Sequence, residues 1–329
     1  MTEPRAGVLS IASSLPPRVA KIEQIFSDEG ALLDARRAAR LGVRETRVFE
    51  GESPTELALD AALAALAKAE IGAMELDAII DFSTMPQRYV EPAWSMSNEL
   101  QHLLGARNAF TLGYSGGGCA NLLVAMKFAR ALLRADEDAR TILLVASDVA
   151  LTGNRVIDRD DPLTILGDGA TAMIMRRDAG RATLVDVALS SEGRLHDARL
   201  IPGGGIRHPT RLDLHRLVVD RKKIASVDRH ARARDLAAGL LEARGVPLAD
   251  VAHVVTPNLS AEDVVDFAAA LCGDAAPGLA TLAAHGHANA NDLILNLARV
   301  EQAGIAEDAY VLLASHGLGF LAGAALLRY

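Results

Sequence analysis

Two hydrophobic rhythms alternate along this chain. Leu57, Ala61, Leu63, Ala64 and Leu66 recur at helical spacing, marking one face of a 3.6-residue period. Ser53-Pro54-Thr55-Glu56 precedes them and has the form of a capping box with proline in the first turn. Residues 77–82 form a short, nearly continuous apolar run, the mark of a buried strand. The pattern then predicts a helix over Met96–Leu104, a strand over 109–112, an apolar helix over 120–133 and a strand over 141–146.

The same order returns further on. The spacing predicts a helix over 234–243, a strand over 251–256 and a helix over 263–271. The apolar run 280–284 leads as a strand into the turn Gly286-His287; a helix over 293–300 and strands over 309–314 and 319–327 complete the chain. Thr141-Ile-Leu-Leu-Val-Ala-Ser147 matches Ala309-Tyr-Val-Leu-Leu-Ala-Ser315. The duplication predicts two similar halves, 1–177 and 178–329. Strands alternating with helices predict an α/β fold with mostly parallel sheets covered on both faces. Corresponding turns of the halves then meet near a pseudo-two-fold axis, where a shared site is expected.

Composition narrows the function. Half of the 329 residues are hydrophobic and the net charge is −8, so there is material for a large core but no phosphate-neutralising surface. Arg36-Arg37 and Arg221-Lys222-Lys223 are short and read as solvated surface; nucleic acid is not an expected partner. No apolar run approaches the ~18 residues of a membrane span, and Met1 to Gly7 carries no basic-then-apolar leader pattern. Cys119 and Cys272 form neither a CxxC pair nor a disulfide framework. A cytoplasmic, reducing setting is expected.

Cys119 has the stronger chemical context. A predicted strand, the turn Gly113-Tyr114-Ser115-Gly116-Gly117-Gly118, the cysteine and an apolar helix follow in order. Glycines permit the sharp turn. A thiol in the first turn of a helix meets the positive end of its dipole, which favours the nucleophilic thiolate. The backbone N–H of Cys119 is placed to stabilise an oxyanion. Cys272, at a helix end before Gly273-Asp274, is expected to be a small buried structural residue.

These residues resemble the β-ketoacyl-ACP synthase III group of the thiolase superfamily over nearly the whole chain. The resemblance is carried by Gly116-Gly117-Gly118-Cys119-Ala120, by Leu166-Gly167-Asp168-Gly169-Ala170-Thr171-Ala172, by the Gly286 turn, and by Gly317-Leu318-Gly319-Phe320 with Gly323-Ala324-Ala325-Leu326. It implies a five-layer α-β-α-β-α fold, a homodimer, and acyl loading from acyl-CoA or acyl carrier protein with no other cofactor. It also implies an oxyanion hole from the N–H groups of Cys119 and of Gly317, Leu318 and Gly319.

Condensing members carry His after a Pro in the second half and Asn directly after a later Gly. Here Pro257 is followed by Asn258 and Gly286 by His287, so the two residue types are transposed. Gly286-His287-Ala288-Asn289-Ala290-Asn291-Asp292 is similar to a Gly-His-x-x-x-x-Asp motif of synthase III-like acyltransferases from secondary metabolism, whose sites use Cys, His and Asp. Condensation needs two neutral donors to stabilise an enolate. Ester or amide formation needs a base for an incoming O–H or N–H, a role suited to a histidine oriented by a carboxylate.

His287 and Asp292 are too far apart in sequence to be neighbours on one helix face, but a turn folds a histidine back over a helix start. Asp292 is then an orienter, a simple N-cap, or both; Asn258 is an oxyanion donor or a turn residue. His253 is expected to be structural, while His316 adjoins the glycine-rich segment and is a minor candidate for lining the site. His285, His287 and Asp292 are metal-ligand types, yet no metal is expected. The leading reading is acyl transfer through a Cys119 thioester to a hydroxyl or amine, with Cys119, His287, Asp292 and Asn258 as catalytic candidates. The alternatives are a condensing synthase of polyketide or fatty-acid assembly and an inactive partner subunit of a heterodimeric synthase.

Overall fold

The computed structural model describes residues 5–51, 53–89, 94–317 and 320–329. Nine strands form one hydrogen-bonded sheet: β1 (Ala6–Ser14), β2 (Ala78–Asp81), β3 (Phe110–Gly113), β4 (Thr141–Asp148), β5 (Gly169–Arg177), β6 (Ala182–Ser191), β7 (Val251–Val255), β8 (Tyr310–His316) and β9 (Leu321–Arg328). Their order is β7-β8-β9-β6-β1-β5-β4-β2-β3. Apart from the edge strand β3, the same progression runs inward on both sides, β7-β8-β9-β6 and β2-β4-β5-β1, to the seam between β1 and β6. That seam is narrow, with Gly7 opposite Thr183 and Val8 opposite Ala182.

Seven helices of nine residues or more are described: α1 (Pro54–Ala69), α2 (Met96–Leu104), α3 (Asn121–Ala135), α4 (Arg229–Arg244), α5 (Ala261–Ala270), α6 (Ala276–His285) and α7 (Asp292–Ala303). α3 packs on β4, β1 and β5 of the first half and on β6 and β9 of the second; α7 packs on β1 and β5 and on β7. Both helices thus lie between the two halves of the sheet. Leu122, Leu123 and Met126 meet Leu293, Ile294 and Leu297 in one core there. α1 covers the far side of β1, β5 and β4, and α4 the far side of β9, β8 and β6. Helix, sheet, helix, sheet, helix is the five-layer thiolase arrangement.

Three features differ from the sequence reading. The sheet is mixed, because β2, β3 and β4 pair in parallel, as do β7 and β8, while the pairings nearer the seam are antiparallel. The connection between β8 and β9 is too short for a crossover helix, so those strands return as a hairpin. Residues 280–284 belong to α6 and not to a strand. Pro277 stands in its first turn and the run is alanine- and leucine-rich, which favours helix over strand; β3 consequently has no counterpart in the described second half. The capping box at Ser53 is present as expected. The Ser53 hydroxyl oxygen accepts from the Thr55 N–H, and the Ser53 N–H donates to Glu56 Oε1 at 3.0 Å.

Candidate active site

The turn that carries Cys119 is held from several sides. After β3 the chain passes the glycine run into a 3-10 turn, Gly118–Ala120, that opens directly into α3. Gly118 has φ +58, the left-handed region that a side chain disfavours. Asn121, fully buried, accepts the Gly117 N–H on Oδ1 at 2.7 Å and donates Nδ2 to the carbonyls of Phe82 and Ser83. This one amide therefore fixes the turn to the end of β2. Cys119, 2% exposed, sits at the amino end of α3, where the helix dipole favours an anion.

The second half delivers the partner. Cys119 Sγ lies 3.4 Å from His287 Nε2, and His287 Nδ1 lies 2.5 Å from Asp292 Oδ2. The histidine's backbone is gripped by the segment before β5. Its N–H donates to the Ile165 carbonyl at 2.8 Å, and its carbonyl accepts the Gly167 N–H at 3.0 Å. Asp292 opens α7 and also accepts the Ala288 N–H on Oδ1 at 2.8 Å and the Asn258 N–H on Oδ2 at 2.7 Å. It both orients the imidazole and ties down the turn around it. Burial alone pushes His287 toward its neutral form, but the charges of Cys119 and Asp292 and the hydrogen bonds to both outweigh this and raise its pKa to about 10. These contacts favour an imidazolium at His287, held between Asp292 and the Cys119 sulfur.

A buried carboxylate links the halves behind this pair. Asp148, at the end of β4, accepts the N–H groups of Thr84 and Met85 on Oδ1, each at 2.7 Å, and Ala290 N–H and Asn291 Nδ2 on Oδ2. Burial nonetheless holds its pKa up at about 6. Asp168 of the Gly-Asp-Gly segment accepts from Phe49 and Ala150 N–H groups and from both Nη atoms of Arg155. It is a structural hub beside the strand that grips His287.

Other expectations are redistributed. The Asn258 side chain faces Asn296, accepting its Nδ2 at 2.7 Å, so the amide is not an oxyanion donor here; its backbone positions Asp292. The Gly317 N–H donates to the Leu321 carbonyl at 2.7 Å and is likewise engaged. Leu318 and Gly319 lie outside the described residues, which leaves the Cys119 N–H as the described oxyanion candidate. His316 does not line the pocket: its Nε2 lies 3.2 Å from Asp263 Oδ2, and its ring packs on Phe267 and His230. Ligand-type atoms of His230, Asp263 and His316 all lie within 4.8 Å of one another, but Arg229 already neutralises Asp263 at 2.5 Å. Cys272 is exposed, not buried, because it follows α5 in a left-handed C-terminal turn with φ +54. Asn121, Asp148 and Asn296 escaped the sequence reading. Their signal is a polar residue inside an otherwise apolar element, as for Asn296, or at its first or last position, as for Asn121 and Asp148.

A pocket of about 610 Å³ opens beside the glycine run that precedes Cys119. Its walls come from the loop after β2, the glycine run, Gly317 and Phe320, and the segment joining β6 to α4. No described helix is long and apolar enough to cross a membrane.

Comparison with known proteins matches this geometry to one family. Residues 116–193, which include the nucleophile turn and the Gly-Asp-Gly segment, match the model for 3-oxoacyl-[acyl-carrier-protein] synthase III. A β-ketoacyl-[acyl-carrier-protein] synthase III of Rhodospirillum rubrum is 31% identical over 290 residues, covering 85% of each chain. The chain belongs to the β-ketoacyl-ACP synthase III family. Members of that family are enzymes acting on acyl-CoA or acyl-ACP thioesters without a separate cofactor. The fold of this synthase III-family chain is that of the 3-oxoacyl-(acyl carrier protein) synthase III of Pseudomonas aeruginosa PAO1, with TM-score 0.83, 22% identity and coverage of 99% and 98% of the two chains. It is also that of a protein named ChlB3 and described as an acyltransferase, with TM-score 0.80, 22% identity and the same coverage.

Proposed function

We propose that this synthase III-family member is an acyltransferase that carries its acyl group as a thioester on Cys119 and delivers it to a hydroxyl or amine acceptor. The observation that carries the reading is the relay from Cys119 to His287 at 3.4 Å and from His287 to Asp292 at 2.5 Å, with the Asn258 amide turned to Asn296. A histidine backed by a carboxylate is a base, whereas enolate stabilisation asks for two neutral donors at the acyl group.

The protons balance over two steps. The Cys119 thiolate attacks the carbonyl of an acyl-CoA or acyl-ACP thioester, and the departing thiolate takes the His287 proton. Neutral His287 then removes the proton of the acceptor O–H or N–H as that atom attacks the thioester, and the Cys119 thiolate returns to its imidazolium. Asp292 holds the tautomer throughout. The Cys119 N–H supports the oxyanion of each tetrahedral intermediate. We further propose that the enzyme acts as a cytoplasmic homodimer in secondary metabolism, each half of the chain contributing one side of the site.

The relatives named as synthases favour a second reading, decarboxylative carbon–carbon bond formation at the same cysteine. An inactive partner subunit fits less well, since it has no use for a buried cysteine sulfur facing a carboxylate-backed histidine.

Intact-protein mass spectrometry after exposure to acyl-CoA or acyl-ACP tests the acyl-enzyme: an adduct absent from C119A is expected. Loaded enzyme is then offered hydroxyl and amine acceptors or malonyl-ACP. Release of carbon dioxide with malonyl-ACP, and no transfer to the other acceptors, overturns the transferase reading in favour of the synthase.

A further inference from the structure

Arg199 reaches the pocket from the long connection between β6 and α4. It stands on a two-residue strand, Arg199–Leu200, paired with Val218–Val219 in the segment between β6 and α4, and it lines the pocket beside the glycine run. Its Nη2 donates to Asn289 Oδ1 at 3.2 Å. That is its one hydrogen bond to the described residues, and it has no ion-pair partner among them. A guanidinium offers five N–H donors in a planar fork. Arg155 shows how this chain satisfies a structural arginine, with Nη1 and Nη2 on the two oxygens of Asp168 and Nη1 also on the Leu166 carbonyl. Arg199 lines the cavity with most of its donors unpaired among the described residues.

The surroundings point to an anion near the reacting sulfur. Burial disfavours the charged form of Arg199, and the negative charges of Cys119 and Asp148 act against that effect. Arg199 is therefore within electrostatic reach of the nucleophile. His215 lines the same pocket, and its Nε2 is buried without a hydrogen-bond partner. The other charged lining groups are already held, Arg88 by Glu99 at 3.5 Å and Asp81 by the Ser83 N–H and hydroxyl. A phosphate of CoA or of the carrier protein does not fit this place, because the long pantetheine arm keeps the phosphate far from the sulfur being exchanged. The acyl chain itself is the part of the donor that lies next to Cys119.

We propose that Arg199 selects the acyl donor, taking the free carboxylate of a short dicarboxylic monothioester, of the malonyl, succinyl or glutaryl kind, while Cys119 takes its thioester carbonyl. The inference rests on the acyl-enzyme reading above and adds the class of acyl group to it. A carboxylate forked on a guanidinium is bidentate and charge-assisted. For a malonyl group such a fork also opposes decarboxylation, which requires charge to leave the carboxylate, and so favours passing the group on intact.

The test measures acylation of Cys119 by mass spectrometry with two donors of matched shape: succinyl-CoA, and 4-methylpentanoyl-CoA, in which an isopropyl group replaces the carboxylate. The wild type is expected to load succinyl faster. R199M is expected to lower the succinyl-to-methylpentanoyl rate ratio by about 10- to 100-fold, the value of a charge-assisted contact, and R199K to keep part of the preference. A wild-type preference for methylpentanoyl, an unchanged ratio in R199M, or equal loss of both donors in R199M overturns the assignment and leaves the Cys119 thioester standing. Loading of neither donor by the wild type removes the acyl-enzyme reading, and this inference with it.

Discussion

Cys119 and His287 lie 168 residues apart, the same interval that separates Ser147 from Ser315 (315 − 147) in the matching strands. They occupy equivalent places in the two halves, each just before the central helix of its half, yet the two turns are built to opposite ends. The first follows a strand and is lined by glycines that form the pocket wall. The second follows a helix, and every residue from His287 to Asp292 is at most 1% exposed. The first turn borders the pocket and, in the proposed reaction, holds the sulfur that meets substrate. The second is closed, and its polar groups are consumed by Asp292, Asp148 and the strand edge at Ile165 and Gly167. One half presents and the other positions, which is how a duplicated scaffold yields an asymmetric reaction.

Breaking the pair across the axis is expected to have the largest effect. H287A should lower single-turnover acyl transfer by roughly 10²–10⁴-fold, and C119A should abolish the adduct. Because the two act as one unit, the double variant should be scarcely worse than C119A; additive losses would mean that the two turns work separately. D292N comes next. Its amide would place a donor against the N–H groups of Ala288 and Asn258 and remove the charge beside the imidazole, at a cost of about 3 kcal/mol in stability.

The same pair gives a pH signature. A histidine whose folded pKa is raised from 6.5 to about 10 contributes stability that is complete below 6.5 and lost as pH climbs through 10. The gap in thermal midpoint between wild type and H287N should therefore be widest near pH 6.5 and shrink toward pH 10. A gap constant over that range would sink the imidazolium assignment.

A smaller loss is expected where the halves touch backbone to backbone. A Cβ at Gly317 would stand 2.2 Å from the Gly117 carbonyl oxygen, a contact that neither chain relieves by rotating a side chain. G317A should cost about 1–3 kcal/mol and slow acylation by shifting the nucleophile turn, measured as a drop in thermal midpoint together with a lower loading rate. A stable G317A with full loading would show that the turns are less tightly coupled than their packing implies.

How much of this was legible in the sequence follows the same division. The nucleophile turn could be read because its signals are local: three glycines, a cysteine and the start of a helix. His287 and Asp292 were legible as a motif, but their alignment with Cys119 comes from the duplication, not from spacing. β1 and β5 went unread because strands buried on both faces and rich in Ala, Gly, Ser and Thr show no alternation, and β6, only partly buried, has no strict alternation either. α6 was read as a strand because a short apolar run does not distinguish the two. Asn258, Asn121 and Asp148 serve partners far along the chain, and nothing local records such contacts. Arg199 lies on the long connection between β6 and α4, where no periodic pattern marks which side chains face the pocket.

The smallest expected effect separates the two cysteines. Cys272 follows α5 with φ +54; its N–H donates to the Ala269 carbonyl at 3.1 Å and the Gly273 N–H to the Ala268 carbonyl at 2.8 Å. That is the Schellman arrangement, in which glycine is preferred at the left-handed position. An L-residue there costs about 1–2 kcal/mol, part of which glycine returns through the entropy of the unfolded chain. The Cys272 side chain is exposed, so little packing is lost. C272G should therefore raise stability by roughly 0.5–1 kcal/mol and leave Cys119 loading unchanged, and it removes the other thiol, so that any remaining thiol adduct reports on Cys119. A fall in thermal midpoint would mean that Cys272 makes a contact in the folded protein. A fall in loading would mean that the closed half senses its own helix end, and the division between a presenting half and a positioning half would need redrawing.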